Sequence, residues 1–228
     1  MTSTASPPRR ESPSARAKRK NRLLTAITLG IAVIICAVVG LGAYAMTNSW
    51  WTEDDPVASA DQQLSDGQSR FDRAGQDFFN RQRLVTVDLG APASAADLGL
   101  PGDGSTIVDT LVPLPIEVRT NGDDLRFSGV TRFSLVTVGG ALAQVAVVSA
   151  SSGAWTAMEA DLRARAGQWG WSDADIATLA EQVGAAARNE GVATSMTLPT
   201  VAFMGVDIGA EVTVSEVGSL ELVYVLSR

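Results

Sequence analysis

The 228-residue chain contains no histidine. That removes Ser-His and Cys-His nucleophile pairs, the H-E-x-x-H zinc site and histidine-ligated haem. Its only lysines are Lys18 and Lys20, close to the N-terminus. Everything after them lacks a Ser-Lys dyad, a Schiff-base lysine and a Walker lysine. Cys36 is the sole cysteine, so no intramolecular disulfide forms. It lies within Ile34-Ile35-Cys36-Ala37, where it acts as a small apolar residue. A lipoprotein site would need a small residue before it, and Ile35 is bulky. Asp-Thr-Gly and Asp-Ser-Gly, the usual aspartic-protease triplets, are also missing. The chemistry left to this chain is that of carboxylates, hydroxyls and arginine.

What is present begins with an apolar run. Leu23 to Met46 carries no charge, and its 24 residues reach roughly 36 Å as a helix. A hydrocarbon core of about 30 Å is spanned with some tilt. Arg16, Lys18, Arg19, Lys20 and Arg22 crowd the N-terminal side, and Glu53, Asp54 and Asp55 follow the other. The positive-inside rule puts residues 1–22 in the cytoplasm and the C-terminal part outside it. Arg19, Lys20 and Arg22 sit at the inner interface, and Trp50 and Trp51 belong in an outer aromatic belt. A signal peptide cleaved after Ala45 is the rival, because Ala43-Tyr44-Ala45 fits an A-x-A site. The run exceeds the usual h-region of about 7–15 residues, which favours an uncleaved anchor. Arg9-Arg10 is too far from the run, and too close to Glu11 and Pro13, to read as a twin-arginine signal. Ala32, Cys36 and Gly40 form a small-xxx-small face that could pack against another helix.

Charge is divided unevenly. Residues 1–22 hold seven basic side chains and one acid, a net +6. Residues 47–228 hold eleven arginines and twenty-four acids, a net −13. The tail is drawn to an anionic inner leaflet, while the outer part repels nucleic acid and anionic polymers. Arginine-over-lysine usage and abundant alanine suggest a bacterial, GC-rich source.

The organisation expected is a disordered basic tail over 1–22, a transmembrane helix over 23–46, a linker over 47–57 and one domain over 58–228. Within that domain a helical pattern covers roughly 58–83. Val57, Leu64, Phe71, Phe78 and Val85 recur every seven residues. Residues 57–85 are thus a candidate contact with another envelope protein or a second copy. Val85 to Leu89 alternates as a strand, and residues 90–106 read as a loop. Ile107 to Thr120 follows, with Pro113 and Pro115 marking an edge or bend. Asn121-Gly122 turns the chain into a strand whose Leu125, Phe127, Phe133 and Leu135 share a face. Gly139-Gly140 leads into a strand over 141–149.

Thr156-Ala157-Met158-Glu159 reads as a capping box opening one helix, and Ser172 to Asp175 opens a second that Gly191 closes. Strands return over 192–203, 206–215 and 219–226. This order predicts an α+β fold: a single N-terminal transmembrane helix, then an extracytoplasmic domain with a mainly antiparallel sheet and two or three helices.

No catalytic set, metal site or cofactor site emerges. Trp169 and Trp171, flanking Gly170, are the candidate ligand residues, as a stacking platform for a sugar or as core closure between helices. Val130, Val136 and Val138 lie opposite the Phe133 face and raise the idea of a two-sided apolar sheet holding lipid. Asp88, Glu117 and Asp207 are candidate acids for a two-carboxylate hydrolase, though each sits where a solvated strand face is expected. Asp103-Gly104-Ser105 and the Asn121 to Asp124 stretch lack the spacing of an EF-hand and read as turns. The expected function is a non-catalytic, membrane-anchored interaction or assembly module of a bacterial envelope. A lipid- or glycan-binding domain and a carboxylate hydrolase are the alternatives.

Overall fold

Alternation decides which side of each strand is covered. In the computed structural model, which describes residues 58–189 and 191–228, β8 (Leu220–Ser227) buries Leu222, Tyr224 and Leu226 while Glu221 is exposed. β7 (Val206–Val214) buries Val206, Ile208, Ala210, Val212 and Val214 in the same manner. Such period-2 patterning buries one sheet face and leaves the other to solvent. The tail, the apolar run and the linker lie outside the described residues, as do Arg19, Lys20, Arg22, Trp50 and Trp51. Among the described residues no helix is long and apolar enough to cross a membrane.

The remaining strands are β1 (Val85–Asp88), β2 (Gly104–Arg119), β3 (Asp124–Val138), β4 (Ala141–Val148), β5 (Thr194–Thr197) and β6 (Val201–Phe203). They order as β1-β2-β3-β4-β8-β7-β5, with β6 also paired to β7. Every pair is antiparallel except β1 with β2. A parallel pair needs a long crossover, and the stretch from Leu89 to Asp103 supplies it. That stretch buries Leu89, Ala95, Leu98 and Leu100, so the expected loop contributes to the core. The domain is therefore α+β with a mostly antiparallel sheet and three helices on one face.

The long hairpin of β2 and β3 is irregular where the prolines predicted a bend. Its register slips between Asp109 and Leu114 and again between Leu114 and Ile116. Gly129 takes a positive φ of 70° there, and a Cβ would crowd Ala150. The slip turns Val130 into the core beside Phe127 and Phe133. This corrects the expectation that Val130 shares an outer face with Val136 and Val138.

The first helix, α1 (Arg73–Gln82), is far shorter than the pattern over 58–83 suggests. Asp72 caps it by accepting the Gly75 N–H at 2.9 Å. Upstream, Asp66 and Gln68 form a tight turn around Gly67, whose φ is 86°, and Gln63 bridges Ser69. Local side-chain bonds and a left-handed glycine outcompete helix there. Phe71, Phe78 and Val85 are buried inside their own domain, so the seven-residue recurrence does not make a free helical seam. Gly75 is required as well, since a Cβ would collide with the Arg70 carbonyl.

α2 (Trp155–Trp169) is capped by Ala154 with no side-chain bond, two residues ahead of the Thr156 cap expected. It ends at Gly170, in the left-handed region. α3 (Asp173–Ala186) opens with the expected reciprocal bonds between Ser172 and Asp175. It stops at Ala187 instead of running on to Gly191, which serves a later turn by donating to the Glu216 carbonyl. One hydrophobic core joins all these elements, from Phe71 to Leu226, within residues 58–228.

Candidate functional site

Helical spacing places charge against the core at one point. On α2, Asp161 and Arg165 stand one turn apart beside buried Leu162, Ala166 and Trp169. The alternation of β8 aims Tyr224 at the same spot, and the bend after β4 brings Ser149 and Ser151.

The Asp161 carboxylate gathers donors from α2, from β8 and from the bend after β4. Its Oδ1 accepts from Arg165 Nε at 3.0 Å. Its Oδ2 accepts from Ser149 Oγ at 2.8 Å, Tyr224 OH at 2.9 Å and, more weakly, Ser151 Oγ at 3.4 Å. Three donors crowd Oδ2 and one meets Oδ1, which ties the carboxylate to both α2 and β8.

Arg165 is held in a ring cage. Its Cζ lies 4.7 Å from the Phe127 centroid, 5.0 Å from Trp169 and 4.9 Å from Tyr224. Cation–π contact with three rings fixes the plane of the guanidinium. Burial, followed by the neighbouring Asp161 charge, raises the Tyr224 hydroxyl well above its ordinary range, with Arg165 pulling the other way. Tyr224 is thus a protonated donor at physiological pH.

Beside this network opens a cavity of about 380 Å³. Arg126, Ser128, Ser149, Ser151, Asp161 and Arg165 supply its polar wall. Phe127 and Val130 are among its apolar lining.

Trp169 and Trp171 are brought together, but in the core. They are 3% and 4% exposed, with centroids 5.2 Å apart and edge to face. Trp171 stacks on Tyr224 and donates its N–H to the Pro199 carbonyl at 2.8 Å. These contacts close the corner between α2 and α3 and leave no open ring for a sugar. The stacking-platform expectation is corrected on that ground, and the core-closure reading fits.

The candidate acids are scattered. Asp88 accepts from the Ala91 N–H, Glu117 pairs with Arg126 at 3.3 Å, and Asp207 is exposed on β7 at the other side of the sheet. Asp103 accepts from the Gly139 N–H, and Thr120 bonds Asp123 across the Asn121-Gly122 turn.

A second feature lies at the sheet edge. β1 pairs β2 only over Ile116 to Arg119. Gly104 to Asp109 therefore has β3 on one side and no strand on the other among the described residues. Ile107 and Leu111 are 66% and 82% exposed, and Val112 and Val138 are exposed too.

No family model, curated protein or solved structure matches the chain, so geometry alone carries the functional reading. Asp161 escaped the sequence reading because Ser149 and Tyr224, which bond it, are 12 and 63 residues away in the chain, and only Arg165 is a local partner. One signal was present: Asp161 and Arg165 follow Met158 and precede Trp169 at helical spacing, which sets two charges beside the apolar stripe.

Proposed function

We propose that this chain is a membrane-anchored, extracytoplasmic interaction or assembly module of a bacterial cell envelope, acting by docking and not by catalysis. The free edge of β2 carries the reading. Folded proteins blunt such edges with charge, proline or a covering element. Gly104 to Val108 has neither charge nor proline, and the exposed Ile107 and Leu111 lie on the same strand. The occupant is an extended segment of another envelope protein, adding a strand through main-chain hydrogen bonds. Charge argues against a second copy. Asp103 and Asp109 bracket the stretch, and antiparallel self-pairing would set these acids against each other. A partner strand with flanking Lys or Arg fits the edge.

The anchor rests on the 24-residue apolar run and its basic collar, which also argue for a domain held outside the cytoplasm. The test solubilises the full chain from its native membrane in mild detergent. It then compares its assembled mass with that of the Ile107→Glu/Leu111→Glu variant. The expected result is a complex containing a different protein, reduced to the lone chain by the substitutions. An unchanged mass contradicts docking at this edge. A reporter fused after Arg228 should be active only outside the cytoplasm, and activity only inside overturns the location.

A further inference from the structure

We propose that the cavity beside Arg165 is a binding site for a small hydroxylated carboxylate, such as a sugar acid. Asp161 takes one side of the Arg165 guanidinium and leaves the other. It engages Nε of Arg165, and the guanidinium also lies beside the Tyr224 hydroxyl; no carboxylate is bonded to either Nη among the described residues. The three rings around the guanidinium fix its plane, so the free side of the fork is pre-organised at the cavity wall. A guanidinium fork matches a planar carboxylate, which it grips through two parallel N–H bonds.

The lining sets the charge of the ligand. Arg126 is paired with Glu117 at 3.3 Å, and Arg165 meets Asp161 through Nε alone, so the wall is neutral overall and the Nη groups of Arg165 are its cationic donors without a carboxylate. A single carboxylate takes up those donors. A dianionic phosphate would meet twice the repulsion from Asp161 and Glu117 that a single carboxylate meets. The rest of the wall sets the polarity. Ser128 offers a hydroxyl, Ser151 an oxygen that can still accept, and Phe127 one apolar patch. A cavity of about 380 Å³ is small for a pocket and suits a compact metabolite. Trp169 and Trp171 take part only indirectly, by holding the cage that orients Arg165.

This site is separate from the β2 edge, and its test is independent of docking. Calorimetric titrations on the full chain in lipid nanodiscs use four probes: glucuronate, glucose, acetate and inorganic phosphate. The expected result is saturable glucuronate binding, with the other three at least about tenfold weaker. Arg126 is mostly exposed, so Arg126→Ala keeps the fold, and it should weaken glucuronate by roughly three- to tenfold. Arg165→Lys keeps the charge but loses the fork, and should weaken it by about tenfold or more. Arg188→Ala, an exposed arginine remote from the lining, should change nothing. No saturation by glucuronate up to roughly 10 mM overturns the proposal. So does binding that ignores both the Arg126 and the Arg165 substitution. Phosphate binding as tightly as glucuronate shows that charge alone is read, and acetate doing so removes the hydroxyl requirement. Either result also overturns the proposal.

Discussion

The two faces of one sheet are built from the same strands and behave differently. On β8, Leu222, Tyr224 and Leu226 are fully buried beneath the helices, while Glu221, Val223 and Val225 point away from them. The covered face is largely aliphatic and aromatic, with the network around Asp161 and the buried Thr137 hydroxyl among its polar points. The other face carries valine, alanine, serine and scattered charge. Stability resides on the first face. The surface available to partners is the second face and the bare edge of β2. The lesson is that one alternating pattern separates what holds the fold from what is free to bind.

Substitutions on β8 test that division most strongly. Leu222→Ala should lower the stability of residues 58–228 by about 3 kcal/mol, through lost burial and an unfilled cavity. Val223→Ala, one residue on and facing outward, should cost less than about 1 kcal/mol. Urea unfolding of both variants checks this, and equal losses would erase the distinction between faces. Next comes Asp161→Ala. It strands Tyr224 OH, Ser149 and Arg165 without their acceptor, at a cost of about 2 kcal/mol, part of which solvent recovers because the pair is about one-fifth exposed. Smaller still is Ser172→Ala, which removes the cap of α3 and should cost about 1 kcal/mol in the same assay.

The weakest effect is that of acid. At Asp72 burial opposes ionisation but is outweighed by the Gly75 N–H and then by Arg70, so its carboxyl sits below the ordinary 3.8. At Asp66 burial is likewise outweighed by the Gln68 amides and Arg119. Groups held low when folded bind fewer protons than in the unfolded chain. Their contribution is complete above the ordinary value and is lost as pH falls through the folded one. Stability measured between pH 7 and pH 2 should therefore drop below about pH 4. Asp72→Asn, which can still accept the Gly75 N–H, should make that drop shallower. A variant with an unaltered acid limb would remove Asp72 from the explanation.

How far the sequence foretells this structure depends on the range of the interactions. Strict alternation in β7 and β8, the Asn121-Gly122 turn and the Ser172 cap are local, and all were legible. The long helix over 58–83 was not, because Gly67 and the Asp66–Gln68 turn override a recurrence that tertiary packing produces for another reason. Val130 was misplaced because a register slip inverts the face of every residue near it. The parallel pairing of β1 with β2 depends on a crossover whose buried leucines sit in a stretch that reads as loop. The Trp169/Trp171 pair was visible, but its burial depends on Tyr224 and Pro199, far away in the chain. The Asp161 network is non-local by construction.

The docking edge is tested most directly by photo-crosslinking in living cells, with a benzophenone side chain replacing Leu111 of the full chain. Val217, 89% exposed in a turn far from β2, serves as the control position. Docking at this edge should give a discrete adduct between Leu111 and a different envelope protein, through a strand of that protein, and none from Val217. Reaction at Leu111 no greater than at Val217, or only with another copy of this chain, would contradict it.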